Sequence, residues 1–309
     1  MKHNNLKGSL LLCLAAFVWG LAFTAQSSAS SVPPFLLNSL RSFISLGFLF
    51  ILFKIVNIKT KERLIPKDKA QRKTVFIGSI VCGTFLTIAA NFQQFGIAMY
   101  KDGEAGEAHA GFITAMYVII VPIISVFLRK KISLIVFVAA AISVLGFYFL
   151  CFSEGLGGFY KGDLLVLLCA FCFSFQILAI DKYVGKIGGI RLSLFQFLVV
   201  GILSGVMSLI FEFDKITLNV ITDNILPIVY LGIFSSGIGY TLQIVGQKYA
   251  QPAVASISMS LESVFAALGG WLIAGNALAS NEILGCVLVF AAIITAQLPD
   301  LINLKKKTA

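Results

Sequence analysis

Charge is almost absent from most of this chain, and the places where it is missing decide the fold. The sequence carries 24 Lys and Arg and 14 Asp and Glu residues, together 12% of its 309 residues, against about 25% in soluble globular domains. All but two lie in the terminal stretches, or between or at the ends of ten long apolar runs, near 8–28, 34–53, 74–98, 108–128, 132–151, 162–181, 192–211, 225–246, 252–275 and 280–298. A run of about 18 apolar residues is long enough to cross hydrocarbon, and only a helix satisfies its own backbone there within one segment. The expectation is an all-α integral membrane protein with ten transmembrane helices. A soluble chain of 58% hydrophobic residues would have too little polar surface to cover its core. The connections are too short to hold a separate soluble domain.

The net charge of +10 could suggest a nucleic-acid partner, but its distribution argues against one. With the N-terminus placed inside, 20 of the 24 basic residues fall on inner tails and loops, eight of them between Lys54 and Lys73. The outer loops hold only Lys101, Lys161 and Lys215, together with nine of the 14 acids. This is the positive-inside bias. It puts both termini in the cytoplasm of a multi-pass protein and requires an even number of spans. The basic 54–73 loop reads as a topology determinant lying against anionic lipid. Of the six cysteines, Cys169 and Cys172 have CxxC spacing, but no second pair or nearby histidine completes a metal site. No metal and no cofactor are expected. Residues 2–25 could pass for a signal peptide; a retained first span is the reading adopted, because no exported domain follows.

The two halves resemble each other. GSLLLCLAAF at 8–17 and GDLLVLLCAF at 162–171 share six identities, from Gly8 with Gly162 to Phe17 with Phe171. Gly83, Gln94 and Tyr100 match Gly232, Gln243 and Tyr249 at a constant shift of 149 residues. The reading is a duplication, with repeats at 1–153 and 154–309. Five spans per half make the second half enter the membrane from the opposite side. This is the inverted-topology repeat many secondary transporters use to expose one site alternately to each side.

The segments NFQQFGIAMY (91–100), GFITAMYVIIVP (111–122), GDLLVLLCAFCFSFQILAID (162–181), YLGIFSSGIGYTLQIVGQKYA (230–250) and SLESVFAALGGWLIAGN (260–276) together resemble the drug/metabolite transporter superfamily in its EamA branch. The resemblance covers nearly the whole chain and rests on the order and spacing of these segments. It implies two inverted five-helix repeats around a central cavity, and transport of a small solute, often efflux, without ATP hydrolysis. Two positions depart from the family pattern. Glu262 is followed by Ser263 where Glu-Pro is common, so the ninth span is expected to lose a proline kink. Gly275 is followed by Asn276 where Gly-Glu is common.

Arg41 and Glu262 are the two charges well inside apolar runs. A charge at membrane depth is costly and tends to mark function. At 1.5 Å per residue, Arg41 lies roughly 10 Å below the outer boundary and Glu262 about 15 Å above the inner one. Their depths differ by about 5 Å in a 30 Å core. Glu262 reads as a substrate contact or proton carrier, against the structural alternative of a carboxyl capping a polar pocket. Arg41 reads as its structural or electrostatic support, through an ion pair if the helices touch. Trp19, Asn91, Gln93, Gln94, Tyr117, Gln176, Tyr240 and Gln243 also fall at membrane depth. Helix packing and interhelical hydrogen bonds are their structural reading. The resemblance places the cavity among the spans that carry them, so they are candidates to line it. Gly201 and Gly205 form a GxxxG pair suited to close helix packing, internal or between subunits.

No Walker A, HExxH, GxSxG or dinucleotide signature occurs in a suitable context, so no enzymatic activity is expected. The chain reads as a secondary transporter for a small organic metabolite, amino acid-like or drug-like. It is expected to work by alternating access at a bacterial cytoplasmic membrane, as an exporter, with protons as a possible coupling ion and a monomer or homodimer as the working unit. Import of the same class of solute and flipping of a lipid-linked sugar stay open as alternatives.

Overall fold

A computed structural model describes residues 5–58, 62–100, 106–130, 132–151, 160–274 and 280–308. The 153/154 repeat boundary, Gly275 and Asn276 lie outside the described residues. Within them all regular structure is helical. The helices are α1 (Asn5–Gly20), α2 (Ala22–Ser28), α3 (Pro34–Val56), α4 (Lys69–Ala98), α5 (Gly106–Thr114), α6 (Tyr117–Phe127), α7 (Leu134–Cys151), α8 (Lys161–Ile187) and α9 (Gly189–Phe211). They continue as α10 (Leu218–Asp223), α11 (Ile225–Tyr230), a π-helical stretch Leu231–Gly239, α12 (Tyr240–Gln247), α13 (Pro252–Met259), α14 (Leu261–Ala274) and α15 (Ser280–Thr308).

Each of the ten apolar runs falls on helix. Eight of the resulting segments are long and apolar enough to cross a membrane, and two more, Leu134–Phe149 and Pro252–Leu268, are shorter. Side-chain placement matches hydrocarbon as the outer solvent. On α15, Val287, Phe290 and Ile294 point outward, while Val289, Ala292 and Ala296 are buried. Phe50, Ile51 and Ile55 of α3 and Ile202, Val206 and Leu209 of α9 are likewise exposed. Contiguous apolar surface on this scale is foreign to a soluble monomer. Hydroxyls at membrane depth bond back to their own helix: Ser42 to the Asn38 carbonyl at 2.6 Å, Thr87 to Gly83 at 2.7 Å, Ser174 to Ala170 at 2.8 Å. That local bond removes the cost of an unpaired hydroxyl in lipid.

Helix ends are tied by carboxylates. Pro33 and Pro34 start α3, and the free N–H groups of Phe35 and Leu36 donate to the two carboxylate oxygens of Glu212 at 3.0 and 2.9 Å. An acid satisfies orphan donors there and complements the positive end of the helix. Asp163 does the same for α8, accepting from the Tyr160 N–H at 2.9 Å and from the Tyr100 hydroxyl at 2.6 Å. At the other ends, Lys130 pairs with Asp181 at 2.6 Å, and Arg191 pairs with Glu62 while also donating to the Ile187 and Arg63 carbonyls.

The most extensive helix pairings are α4 with α8, α7 with α15 and α3 with α9. Small residues set several of them. A Cβ on Gly162 would lie 2.5 Å from the Gly96 carbonyl oxygen, and one on Gly246 would lie 3.1 Å from that of Gly8. Gly83 meets the Gln196 carbonyl at 3.0 Å, and Gly232 meets that of Arg41 at 3.2 Å. The Gly201–Gly205 pair serves an internal contact: it faces Phe43 and Ser39 of α3, and the Ser39 hydroxyl donates to the Gly201 carbonyl at 3.1 Å.

Gly162→Val would press a branched side chain into the backbone of α4. It is expected to destabilise by about 1–3 kcal/mol, read as a lower thermal midpoint of the detergent-solubilised protein. Gly47→Ala, inside α3 with nothing within 4 Å of the added methyl, is expected to hold or raise the midpoint, because alanine favours helix over glycine.

Candidate functional site

Several spans that reach the middle of the molecule are not continuous α-helix. The first is interrupted at Leu21, between α1 and α2, and the fourth at Ala115 and Met116, between α5 and α6. The eighth runs through the π stretch, and the ninth breaks at Ser260. The ninth span, which lacks the Glu-Pro pair, is thus broken without a proline. In place of proline the sequence has alternating serines. Ser256 bonds back to the Ala253 carbonyl at 2.8 Å, Ser258 to Val254 at 2.9 Å and Ser260 to Ile257 at 2.7 Å. Serine back-bonding bends helices, and beyond the break the Ser263 N–H reaches the Ser260 carbonyl at 3.3 Å, a 3₁₀-type spacing. The π stretch contains Gly232, Gly237 and Gly239, whose missing side chains weaken α-helix and let neighbours approach.

Those interruptions surround a cavity of about 50 Å³. Such a volume holds a few waters, while metabolite sites run to roughly 300–1,000 Å³. Its polar wall brings together Glu262, two residues past the break in the ninth span, and Tyr117, the first residue past the break in the fourth. The Tyr117 hydroxyl donates to the Glu262 carboxylate at 3.0 Å. Gly20 brings α1 up against them, since a Cβ there would lie 2.9 Å from the Glu262 carbonyl. Trp19 and Tyr240 form the aromatic wall, ring centroids 4.8 Å apart and edge-on, and Tyr240 in turn packs edge-on to Phe197 at 5.4 Å. The Trp19 indole N–H donates to the Ser235 carbonyl in the π stretch at 3.2 Å. Phe173, Ile177 and Met259 add apolar surface.

Among the sequence candidates, Trp19, Gln93, Tyr117, Tyr240, Gln243, Glu262 and Arg41 line this cavity. Three candidates are placed elsewhere. Asn91 sits in a knot between α3, α4 and α9, accepting from Asn38 at 2.9 Å and donating to Ser204 at 3.0 Å and to the Thr87 carbonyl at 2.8 Å. Gln94 donates to the Gln26 carbonyl at 3.5 Å. Gln176 stands behind the wall and accepts from Gln243 at 3.2 Å. Depth alone cannot separate these from cavity residues, because helix rotation decides which way a side chain points. Gln26, Thr114 and Ser235 also line the cavity and were missed. Gln26 lies near the end of its run and Thr114 directly before the break in the fourth span; Gln93 links them, accepting from Gln26 at 3.5 Å and donating to Thr114 at 3.2 Å.

Arg41 and Glu262 share the cavity but do not pair. Among the described residues the ion pairs are Lys130–Asp181 and Arg191–Glu62. The Arg41 side chain is 4% exposed, and its Nε has no hydrogen-bond partner. The ion pair that their depths allowed is not formed: the two charges stand on different helices, the acid engaged by Tyr117.

The aromatic wall depends on Gly239, where an added Cβ would lie 2.6 Å from the Trp19 indole nitrogen. In a Trp271→Phe background, which leaves Trp19 as the one tryptophan, Gly239→Val is expected to break the Trp19–Ser235 bond and shift the tryptophan emission maximum.

The chain matches the family described as "EamA-like transporter family" twice, over residues 6–152 and 160–296. It is 29% identical over 302 residues to an "Uncharacterized transporter" of Archaeoglobus fulgidus, covering 96% of this chain and 87% of that protein. An "Uncharacterized transporter" of Clostridium kluyveri is 25% identical over 237 residues, 74% of this chain and 75% of that protein. One solved crystal structure superposes with a TM-score of 0.75 at 19% identity, over 94% of this chain and 96% of its own, a likeness of fold. With a multi-pass helical body and two family matches spanning nearly its whole length, the chain belongs to the EamA-like transporter family of the drug/metabolite transporter superfamily.

Proposed function

We propose that this protein is a secondary transporter that moves a small organic solute, amino acid-like or drug-like, across the cytoplasmic membrane by alternating access. The observation that carries the reading is the Tyr117–Glu262 hydrogen bond at 3.0 Å. It joins the fourth span to the ninth, each just past a helix break, inside the one cavity both reach. Broken helices around a midplane site are how membrane transporters expose polar groups without leaving backbone unpaired in lipid. Glu262 serves recognition or coupling, and the breaks serve as the points about which the two ends of each span move.

The mechanism needs two similar halves, and several features support reading the chain as two inverted five-span repeats. One family description matches each half separately. The fourth and ninth spans, which both break, hold the same ordinal place in their halves. Gly96 packs on Gly162 as Gly246 packs on Gly8, and Gly83 faces the Gln196 carbonyl as Gly232 faces that of Arg41. These pairings join the third span of one half to the first and second of the other, in both directions. The cavity of about 50 Å³ fits a constricted stage of the cycle that must widen to take cargo. The export direction rests on the sequence resemblance, and the cytoplasmic termini rest on the positive-inside bias.

Comparing metabolites of cells with and without the protein, followed by counterflow in sealed proteoliposomes at two pH values, tests the reading. Wild-type protein is expected to exchange at least one of the enriched solutes. Glu262→Gln keeps an acceptor for Tyr117 and removes the charge, and is expected to reduce that exchange at least tenfold without loss of monodisperse protein. Undiminished exchange by Glu262→Gln would remove Glu262 from the mechanism, and no exchange of any solute by the wild type would remove the transporter reading.

A further inference from the structure

The transport reading leaves one group in the cavity without a task. Arg41 is buried on α3, inside an apolar run, with its Nε unpartnered. A guanidinium at membrane depth is expensive unless something compensates it. The acid that shares its cavity, Glu262, is engaged by Tyr117 and forms no ion pair with it. The surrounding chain nevertheless fixes the backbone that carries Arg41. Gly232 of the π stretch lies against its carbonyl, where a Cβ would come within 3.2 Å. The neighbouring Ile44 is met even more tightly, at 2.6 Å. A buried cation on a fixed stretch of backbone, facing a cavity and in no ion pair among the described residues, is arranged for a partner that arrives from outside.

We propose that Arg41 is an oxyanion-recognition residue of this cavity, and that the cargo is a zwitterion whose carboxylate docks on Arg41 while its ammonium faces Glu262. This deepens the transport reading and rests on it. The planar guanidinium fork matches a carboxylate through two parallel hydrogen bonds, a match lysine cannot reproduce. The two opposite charges stand on different helices of one cavity, α3 and α14. A solute with both charges compensates each without requiring them to meet. The rings of Trp19 and Tyr240 give an ammonium a second favourable surface. Phe173, Ile177 and Met259 suit a short aliphatic or aromatic body between the charged ends. A purely cationic solute would leave Arg41 uncompensated and bring another positive charge beside it.

Three solutes that share one apolar body separate the terms: leucine carries both charges, 4-methylpentanoate the carboxylate alone, and 3-methylbutylamine the ammonium alone. Binding to the full-length protein in lipid nanodiscs is measured by calorimetry, and exchange by counterflow in proteoliposomes. Wild type is expected to bind leucine at least tenfold more tightly than either single-charge analogue. Arg41→Gln is expected to weaken leucine and 4-methylpentanoate at least tenfold and to leave 3-methylbutylamine unchanged or tighter. Arg41→Lys, which keeps the charge and loses the fork, should fall between. A merely structural role would lower all three together, so the ratio of carboxylate to amine binding is the deciding readout. An unchanged ratio in Arg41→Gln, or no binding of either carboxylate by the wild type, overturns the proposal. If counterflow of other solutes persists in that case, the transporter reading stands without it; if wild type exchanges nothing at all, the transporter reading itself fails.

Discussion

Hydrocarbon offers no hydrogen bonds, so every polar group placed in it must be satisfied by the protein or kept for a ligand. Most of this chain follows from that condition. Serine and threonine hydroxyls fold back on their own helices, Glu212 and Asp163 close helix starts, and Asn91 is consumed in a knot with Asn38 and Ser204. Against that background the central cavity stands apart. It gathers a carboxylate, a guanidinium, three amphipathic aromatics and several amides in a space of about 50 Å³. Tyr117 engages the carboxylate, while Arg41 at Nε and Gln243 at Oε1 lack a protein partner.

Position and mobility come from the same sequence choices. Continuous helices such as α4, α8 and α9 provide long packed surfaces. The spans that carry Trp19, Tyr117, Tyr240 and Glu262 are interrupted at or near those residues. The interruption has a different chemical origin in each case: serine back-bonding before Glu262, and glycines in the π stretch before Tyr240. Such segments bend at lower cost than regular helix, and π geometry is frequent at functional sites. The glycines serve a second purpose. Gly20, Gly232 and Gly239 let neighbouring helices approach to distances a Cβ would forbid, which brings side chains from separate spans to one place.

The membrane class and the placement of every long helix were legible in the sequence, because charge exclusion from hydrocarbon is a strong signal that needs no tertiary knowledge. Glu262 was legible as a candidate site residue, and Arg41 as a buried charge, for the same reason. Depth allowed an ion pair between them, yet depth fixes one coordinate only. The lateral position and rotation of α3 and α14 come from packing that a single sequence does not encode locally. Asn91, Gln94 and Gln176 illustrate the same limit: they have the right depth and point elsewhere. Gln26 and Thr114 were missed because an uncharged amide or hydroxyl carries too small a penalty in an apolar run to stand out as a charge does. The break at Ser260 could have been read from the alternating serines at 256, 258 and 260, had their back-bonding been weighed as an alternative to proline.

The central claim is that one buried site becomes accessible from each side of the membrane in turn. Met259 lines the cavity beside the Ser260 break and is 1% exposed. In a background whose native cysteines are replaced, Met259→Cys in inverted and right-side-out vesicles can be challenged with a membrane-impermeant thiol reagent. The account predicts labelling from both sides at rates that shift in opposite directions when a transported solute is added. Labelling from one side only, under every solute and gradient, would contradict it.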